Sequence, residues 1–307
     1  MEKTHDSKFL METWEYNLYA VLLFLIGFLG FNFNLISLTL ICKNKLWSPI
    51  NIIILNLLFS DFLVSFLGTP WTFFAAVYKG WPFGRNICIA YGFLMGVCGI
   101  SSITSLTVLA VERFCLIVFP LGKQLTTKVA VFGVMFIWTY SIVLTIPPIF
   151  GWGEYSNEAA NISCSVNWES HEHNSTSYII FLAFFGFVVP LFVILYSYGN
   201  IIFKINRNFS RKKNRSEKRV TFMIGLMITT FLLAWTPYAI YALIEQFSSM
   251  EISPNMEVIP AVFAKSSIVY NPIIYVTLNK QLLAHFATKP TKLLRPHNTS
   301  TDYQPRP

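Results

Sequence analysis

The sequence predicts an all-α integral membrane protein, built as a bundle of seven transmembrane helices. Of the 307 residues, 54% are hydrophobic and only 12% are charged, which leaves too few charges for an ordinary water-soluble surface. Seven apolar stretches are long enough to cross about 30 Å of hydrocarbon as helices. These spans lie near residues 17–42, 50–70, 88–119, 129–150, 177–203, 220–246 and 256–278.

The first stretch is a span rather than a signal peptide, because charges of both signs precede it and no small-residue cleavage site follows it. Pro190, Pro237 and Pro272 fall inside spans five, six and seven, where we expect kinks rather than breaks. No internal repeat or separate soluble domain interrupts the bundle. The predicted division is an N-terminal segment (1–16), the bundle (17–278), an amphipathic surface helix (279–287) and a disordered tail (288–307).

The distribution of basic residues predicts the orientation, because cytoplasmic loops are enriched in Lys and Arg. Most of the 23 basic residues fall after spans one, three and five or in the C-terminal tail. The exceptions are Lys3, Lys8, Lys79, Arg85 and Lys265. We therefore expect an extracellular N-terminus and a cytoplasmic C-terminus. The net charge of +8 reflects this topology, and no nucleic-acid-binding fold is apparent.

Two of the five cysteines, Cys88 and Cys164, lie on the predicted outer side, where an oxidising compartment permits a disulfide. A bond between them would hold the loop before span five over the mouth of the bundle. The same loop carries glycosylation sequons at Asn161 and Asn174.

Lys265 lies in the middle of span seven, where a charged side chain costs a few kcal/mol and marks a functional site. Burial favours the neutral amine, which is the form that attacks aldehydes, so a Schiff base to a carbonyl ligand is one interpretation. The alternative is a neutral lysine that bonds between helices or extends to the membrane interface.

Motifs along the spans, combined, closely resemble those of the rhodopsin-like G-protein-coupled receptors over about residues 18–286. They are Asn34, Asp61, Glu112-Arg113-Phe114, Trp138, Pro190, Tyr198, Trp235-Thr236-Pro237 and Asn271-Pro272-Ile273-Ile274-Tyr275. Within that family, a lysine six residues before the asparagine of the last motif is the mark of opsins, and Lys265 has that spacing to Asn271.

The resemblance implies that Lys265 binds 11-cis-retinal covalently as a protonated Schiff base, which light isomerises to the all-trans form. Trp235 resembles the family's pocket tryptophan, and Tyr238, Ala239 and Ala261 share its helix face or that of Lys265. Phe187 and Gly99 are further pocket candidates by alignment with the family. For Phe187, ordinary helix packing stays open as the alternative.

A buried protonated imine requires a carboxylate partner. Vertebrate visual opsins carry a glutamate three residues after the span-three cysteine, but here that position is Tyr91. Glu158, six residues before Cys164, matches the family's second counterion site, so we expect it to be the counterion and Tyr91 to donate a hydrogen bond. The alternative is a solvated loop glutamate. Use of this site favours a bistable pigment.

The motifs near the cytoplasmic end resemble the family's activation machinery. Glu112 and Arg113 would hold the inactive state with Glu217 of span six, and Arg113 would meet Tyr198 near Tyr275 once span six moves. Asp61, with Asn34 and Asn271, resembles the family's buried polar network.

Asn279-Lys280-Gln281 resembles ciliary opsins, which couple to Gi/Go/transducin-type G proteins, and arrestin is a further expected partner. Tyr91 favours the encephalopsin, teleost multiple-tissue and pteropsin group. A plasma or ciliary membrane is the expected location. We expect no enzymatic activity, no catalytic residue and no metal site.

Three rival functions differ in class. A non-signalling retinal photoisomerase would have no need of the activation motifs. A microbial-type pump would need carboxylates along span three, which has none before Glu112. A chemically gated receptor with an incidental Lys265 predicts no visible chromophore.

Overall fold

The computed structural model describes residues 10–119, 125–158, 160–207, 215–248 and 253–279, without the side chains of residues 206, 207, 215 and 216. Within this part of the chain, seven helical segments are long and apolar enough to cross a membrane, which confirms the predicted fold class. The predicted surface helix beyond Asn279 and the predicted tail lie outside the described residues.

The spans are made of nine α-helices within the described residues. Span one is α1 (Thr13–Lys43), span two is α2 (Pro49–Leu63) and α3 (Thr69–Val77), span three is α4 (Arg85–Val118), span four is α5 (Thr127–Thr145), span five is α6 (His173–Ala183) and α7 (Val189–Arg207), span six is α8 (Arg215–Phe247) and span seven is α9 (Pro254–Leu278).

Two predicted boundaries were wrong. Span two continues to Val77, beyond its predicted end at residue 70, because Pro70 falls in the first turn of α3, where a missing N–H costs little. Span four ends at Thr145 rather than at 150, because two prolines follow Ile146 and the chain turns into a short 3-10 helix, Pro147–Phe150.

In span two, a π-helical turn, Val64–Gly68, joins the two α-helices. Pro70 has no backbone N–H, so a carbonyl of the preceding turn loses its usual partner. The hydroxyl of Thr69 compensates by donating to the carbonyls of Val64 and Ser65, at 3.1 Å each.

Span five has the same arrangement, with the π turn Phe184–Val188 directly before the helix that contains Pro190. The hydroxyl of Tyr140 in span four donates to the carbonyl of Phe185 at 2.7 Å, so a neighbouring helix satisfies the group near the proline. Spans six and seven continue as helices through their internal prolines, as predicted.

Between spans four and five the chain forms an antiparallel hairpin of β1 (Tyr155–Glu158) and β2 (Ser163–Val166). Cys164 of β2 is bonded to Cys88 at the start of span three, with 5.4 Å between the Cα atoms. This confirms the predicted disulfide and fixes the hairpin over one end of the bundle, which we call the hairpin end.

Two tyrosines, one in the hairpin and one in span five, bond to the end of span four. The Tyr155 hydroxyl donates to the carbonyl of Thr145 at 2.6 Å, and the Tyr178 hydroxyl donates to the carbonyl of Leu144 at 3.1 Å. Burial raises the pKa of the Tyr155 phenol, which therefore stays a donor at neutral pH. Both bonds satisfy carbonyls that the end of the helix leaves without intrahelical partners.

Candidate functional site

A cavity of about 270 Å³ lies inside the hairpin end of the bundle. Its volume is near the lower limit of small-molecule pockets, which is roughly 300 Å³. Most of its walls are apolar, and every predicted pocket residue lines it. These residues are Tyr91, Gly99, Glu158, Phe187, Trp235, Tyr238, Ala239, Ala261 and Lys265.

Lys265 enters the cavity from span seven. Its Nζ donates a hydrogen bond to Oγ of Ser163 at 3.3 Å. No carboxylate among the described residues lies within 4.0 Å of Nζ. The amine therefore bonds to the hairpin rather than to a neighbouring helix, and its partner is a neutral hydroxyl.

Glu158 also lines the cavity, and it accepts hydrogen bonds from two hydroxyl groups rather than from Lys265. Oε2 accepts a hydrogen bond from the hydroxyl of Tyr238 in span six at 2.7 Å and a second one from the hydroxyl of Ser165. The side chain is thus part of the cavity wall. In the hairpin register, Glu158 lies opposite Ser163, whose hydroxyl accepts the hydrogen bond from Lys265.

Tyr91 is buried against the disulfide and the ring of Trp81, with 5.2 Å between ring centroids. Its hydroxyl has no hydrogen-bond partner among the described residues. A buried polar atom without a partner is uncommon in proteins, so this hydroxyl marks a place where the cavity can receive a polar group.

Trp235 of span six packs against span three at the cavity. Its indole Nε1 donates to Oγ of Ser267 in span seven at 3.1 Å. A Cβ atom added to Gly99 would lie 3.1 Å from the Trp235 ring, so this glycine provides the space that the indole occupies. Phe231 stacks on the same ring at 5.6 Å, and the indole thus connects spans three, six and seven.

The predicted buried polar network is assembled around Asp61, which also borders the cavity. Its two carboxylate oxygens accept hydrogen bonds from Ser102 at 3.2 Å and Asn271 at 2.8 Å. Asn34 donates to the backbone carbonyl of Ile268 at 2.9 Å. Spans one, two, three and seven are therefore joined by buried polar contacts.

At the opposite end, Arg113 is 1% exposed and lies between two carboxylates. Its guanidinium bonds to Glu112 through two nitrogens and to Glu217 of span six at 2.8 Å. We call Glu112, Arg113 and Glu217 the lock, and this end of the bundle the lock end. The lock joins span three to span six.

The other predicted activation residues at the lock end have separate partners. Tyr198 donates to the carbonyl of Thr221 in span six at 3.1 Å, and Tyr275 donates to Asn51 of span two at 3.2 Å. Phe114 packs against Phe119 and Tyr196. Asn279 follows the end of span seven, while Lys280 and Gln281 lie outside the described residues.

Both predicted glycosylation residues, Asn161 and Asn174, are exposed. The sequence reasoning missed three residues near the cavity, Ser163, Ser165 and Trp168, because the hairpin was not predicted. The signal was present: in a strand, the residues on either side of Cys164 share the opposite face.

Known proteins resemble this chain over most of its length. A family model described as "7 transmembrane receptor (rhodopsin family)" matches residues 32–275. Pinopsin of Gallus gallus is 37% identical over 254 residues, covering 80% of this chain and 72% of that protein. Vertebrate ancient opsin of Salmo salar is 36% identical over 276 residues, covering 88% of this chain and 85% of that protein.

The fold also resembles that of a solved structure. The crystal structure of squid rhodopsin superimposes with a TM-score of 0.84 at 28% sequence identity, covering 91% of this chain and 86% of that one.

Proposed function

Because the chain belongs to the opsins, within the rhodopsin family of seven-transmembrane receptors, we propose that it senses light through retinal bound covalently to Lys265 and activates a Gi/Go/transducin-type G protein. Members of this family are membrane receptors rather than enzymes, with a G protein as partner. The observation that carries the proposal is the amine of Lys265 inside an apolar cavity, with only a hydroxyl as its hydrogen-bond partner among the described residues.

The residues of the cavity fit such a ligand, because most of the wall is apolar and several polar groups gather at the hairpin end. Lys265 supplies the amine, Glu158 the negative charge and Tyr91 a buried hydroxyl that has no hydrogen-bond partner in the part of the chain that the structure describes. A long apolar molecule with one reactive polar end suits this division. When bound, 11-cis-retinal supplies a chromophore that light converts to the all-trans isomer.

Trp235 is the proposed first element of signal transmission. The indole bonds to span seven through Ser267 and contacts Tyr238 edge-on, with 6.0 Å between ring centroids. A change of shape in the cavity that displaces this ring would disturb contacts between spans six and seven. Asp61 and Asn271 lie next to that interface, so the buried polar network would respond to the same displacement.

The proposed output is the release of span six from Arg113. In the described arrangement the lock is closed, and Tyr198 bonds to span six instead of to Arg113. Opening would expose the lock end to a G protein, and later to arrestin. Asn279-Lys280-Gln281 and the short loop between spans five and six support the Gi/Go/transducin assignment and the ciliary subgroup.

The proposed orientation places the hairpin end outside the cell and the lock end in the cytoplasm, in a plasma or ciliary membrane. The distribution of basic residues supports it, as does the disulfide at the hairpin end. The division into an N-terminal segment, the bundle, a surface helix and a tail is proposed with it.

The decisive experiment is expression with 11-cis-retinal, followed by dark and illuminated absorption spectra and by nucleotide exchange on a Gi-type G protein. We expect a visible pigment, light-dependent exchange and a retinyl adduct on the Lys265 peptide after borohydride trapping. A pigment without exchange would favour the photoisomerase alternative. The absence of any adduct on that peptide would refute the covalent proposal.

A further inference from the structure

Glu158 is held by a chain of hydrogen bonds that begins at Trp168, in the segment after the hairpin. The indole Nε1 of Trp168 donates to two hydroxyl oxygens, Oγ of Ser165 at 3.1 Å and Oη of Tyr238 at 3.0 Å. Both hydroxyls in turn donate to the same oxygen, Oε2 of Glu158. We call Trp168, Ser165 and Tyr238 the carboxylate clamp.

The donor chemistry fixes the direction of each bond in the clamp. An indole N–H only donates, and an ionised carboxylate only accepts. A hydroxyl that accepts from Trp168 therefore keeps its own hydrogen for a second bond, and Glu158 is the acceptor for Tyr238. The carbonyl of Val166, 3.0 Å from Oγ of Ser165, competes for the serine hydrogen, but the charged carboxylate is the stronger acceptor.

The clamp joins two elements that the fold brings together. Glu158 and Ser165 belong to the two strands of the hairpin, whereas Tyr238 belongs to span six. The rings of Trp168 and Tyr238 meet edge-on, with 6.1 Å between centroids. Trp168 itself bonds to neither Glu158 nor Lys265, so any effect on the carboxylate passes through the two hydroxyls.

We propose that Trp168 is a positioning residue that orients the hydroxyls of Ser165 and Tyr238 toward Glu158 and so keeps this carboxylate facing the cavity. The inference rests on the proposed function, in which Glu158 is the counterion of the retinal linkage at Lys265. Bonds in such a chain polarise one another, so the loss of the indole N–H weakens both bonds to Glu158.

The test is Trp168→Phe, which removes the N–H but keeps an aromatic ring against Tyr238. Glu257, Tyr238 and Tyr241 interact electrostatically with Glu158, and Lys265 lies in the same cavity; the substitution leaves all of them in place. In the pigment reconstituted with 11-cis-retinal, we expect the midpoint pH of the change from visible to ultraviolet absorption to fall by about one unit, a tenfold change in proton concentration.

Trp152→Phe is the matched control, because the indole of Trp152 donates to Ser177 at 2.9 Å and has no bond to the clamp. We expect it to leave the midpoint unchanged. In the background of Glu158→Gln, Trp168→Phe should have no further effect, because the carboxylate through which it acts is gone. A general structural role for Trp168 would move the midpoint in both backgrounds.

The outcomes separate the two levels of the proposal. A normal midpoint in Trp168→Phe, beside a lowered midpoint in Glu158→Gln, would refute the role of Trp168 and leave the proposed function intact. An unchanged midpoint in Glu158→Gln would refute the counterion role of Glu158, and with it the proposed role of the clamp. If Trp168→Phe yields no folded pigment, Ser165→Ala removes one arm of the clamp, and a midpoint equal to that of the parent would refute the proposal.

Discussion

Each end of the bundle contains a basic side chain in a largely apolar environment, but the two side chains have different hydrogen-bond partners. Arg113 at the lock end is 1% exposed and bonds to two carboxylates. Lys265 at the hairpin end bonds to one hydroxyl at 3.3 Å, with no carboxylate among the described residues within 4.0 Å. Burying a charge without a partner is costly, so the two sites face different electrostatic requirements.

The difference indicates a division of labour. At the lock end the protein supplies both charges, and the ion pairs join two spans that can separate, which is the arrangement of a switch. At the hairpin end the amine has no carboxylate partner among the described residues and is available to react with a ligand. The nearby carboxylate accepts hydrogen bonds from hydroxyls rather than from the amine. The two ends are connected by one apolar cluster, which packs against Trp235 near the cavity and against Tyr198 near the lock.

The largest expected effect is at Lys265. Lys265→Ala should abolish the visible pigment and all light-dependent nucleotide exchange, because no amine remains to bind the aldehyde. Lys265→Arg is the matched variant: it keeps a cation in the cavity, but a guanidinium stays protonated and does not form the linkage. Spectra of both proteins after incubation with 11-cis-retinal are the measurement. A visible pigment in either variant would refute covalent attachment of retinal at Lys265.

The next effect is at the carboxylate. Glu158→Gln should replace most of the visible band by an ultraviolet band at neutral pH, because an amide no longer stabilises the positive charge of the linkage. Glu154→Gln is the control, since Glu154 is half-exposed, pairs with Arg85 at 3.4 Å and does not line the cavity. Absorption spectra across a pH series would decide, and an unaltered spectrum in Glu158→Gln would exclude it as counterion.

Much of this comparison was readable from the sequence. The spans follow from long apolar stretches and the disulfide from the two outer cysteines. These signals are local or depend on which side of the membrane a residue faces, whereas the lock was predicted from the resemblance of Glu112-Arg113 and Glu217 to the receptor family. The π turns were not predicted, because they depend on how neighbouring groups satisfy the carbonyls near each proline. The early end of span four was missed, although Pro147 and Pro148 mark it in the sequence.

The hydrogen bonds of the cavity were less predictable than its residues. Sequence placed Glu158 near Lys265 by resemblance, but the contacts of each depend on the register of a hairpin that only the disulfide and the tertiary packing define. One residue of register reverses the face to which a strand side chain points. Ser163 and Trp168 therefore could not be assigned as partners from the sequence without the hairpin.

A smaller effect is expected at the lock. Glu217→Gln should raise nucleotide exchange in the dark about fivefold, because it removes a charged partner of Arg113 worth about 1 kcal/mol at a partly exposed site. The light-saturated rate should stay the same. Lys218→Gln, an exposed neighbour, is the control. If the dark rates of the two variants are equal, the lock does not restrain span six.

The smallest effect concerns a second contact of span six at the lock end, this one with span seven. Nε of Arg219 donates at 2.7 Å to the carbonyl of Leu278, a group in the last turn of span seven that has no intrahelical partner among the described residues. The bond should restrain the same movement of span six as the lock, but with a neutral acceptor it contributes only about 0.5 kcal/mol.

Arg219→Gln should therefore raise the dark rate of nucleotide exchange about twofold, below the effect of Glu217→Gln. If both contacts restrain the same movement of span six, the double variant should show roughly the product of the two increases, since the contacts share no partner. A dark rate for Arg219→Gln equal to that of Lys218→Gln would assign all restraint to Arg113. The switch would then depend on the ion pairs alone.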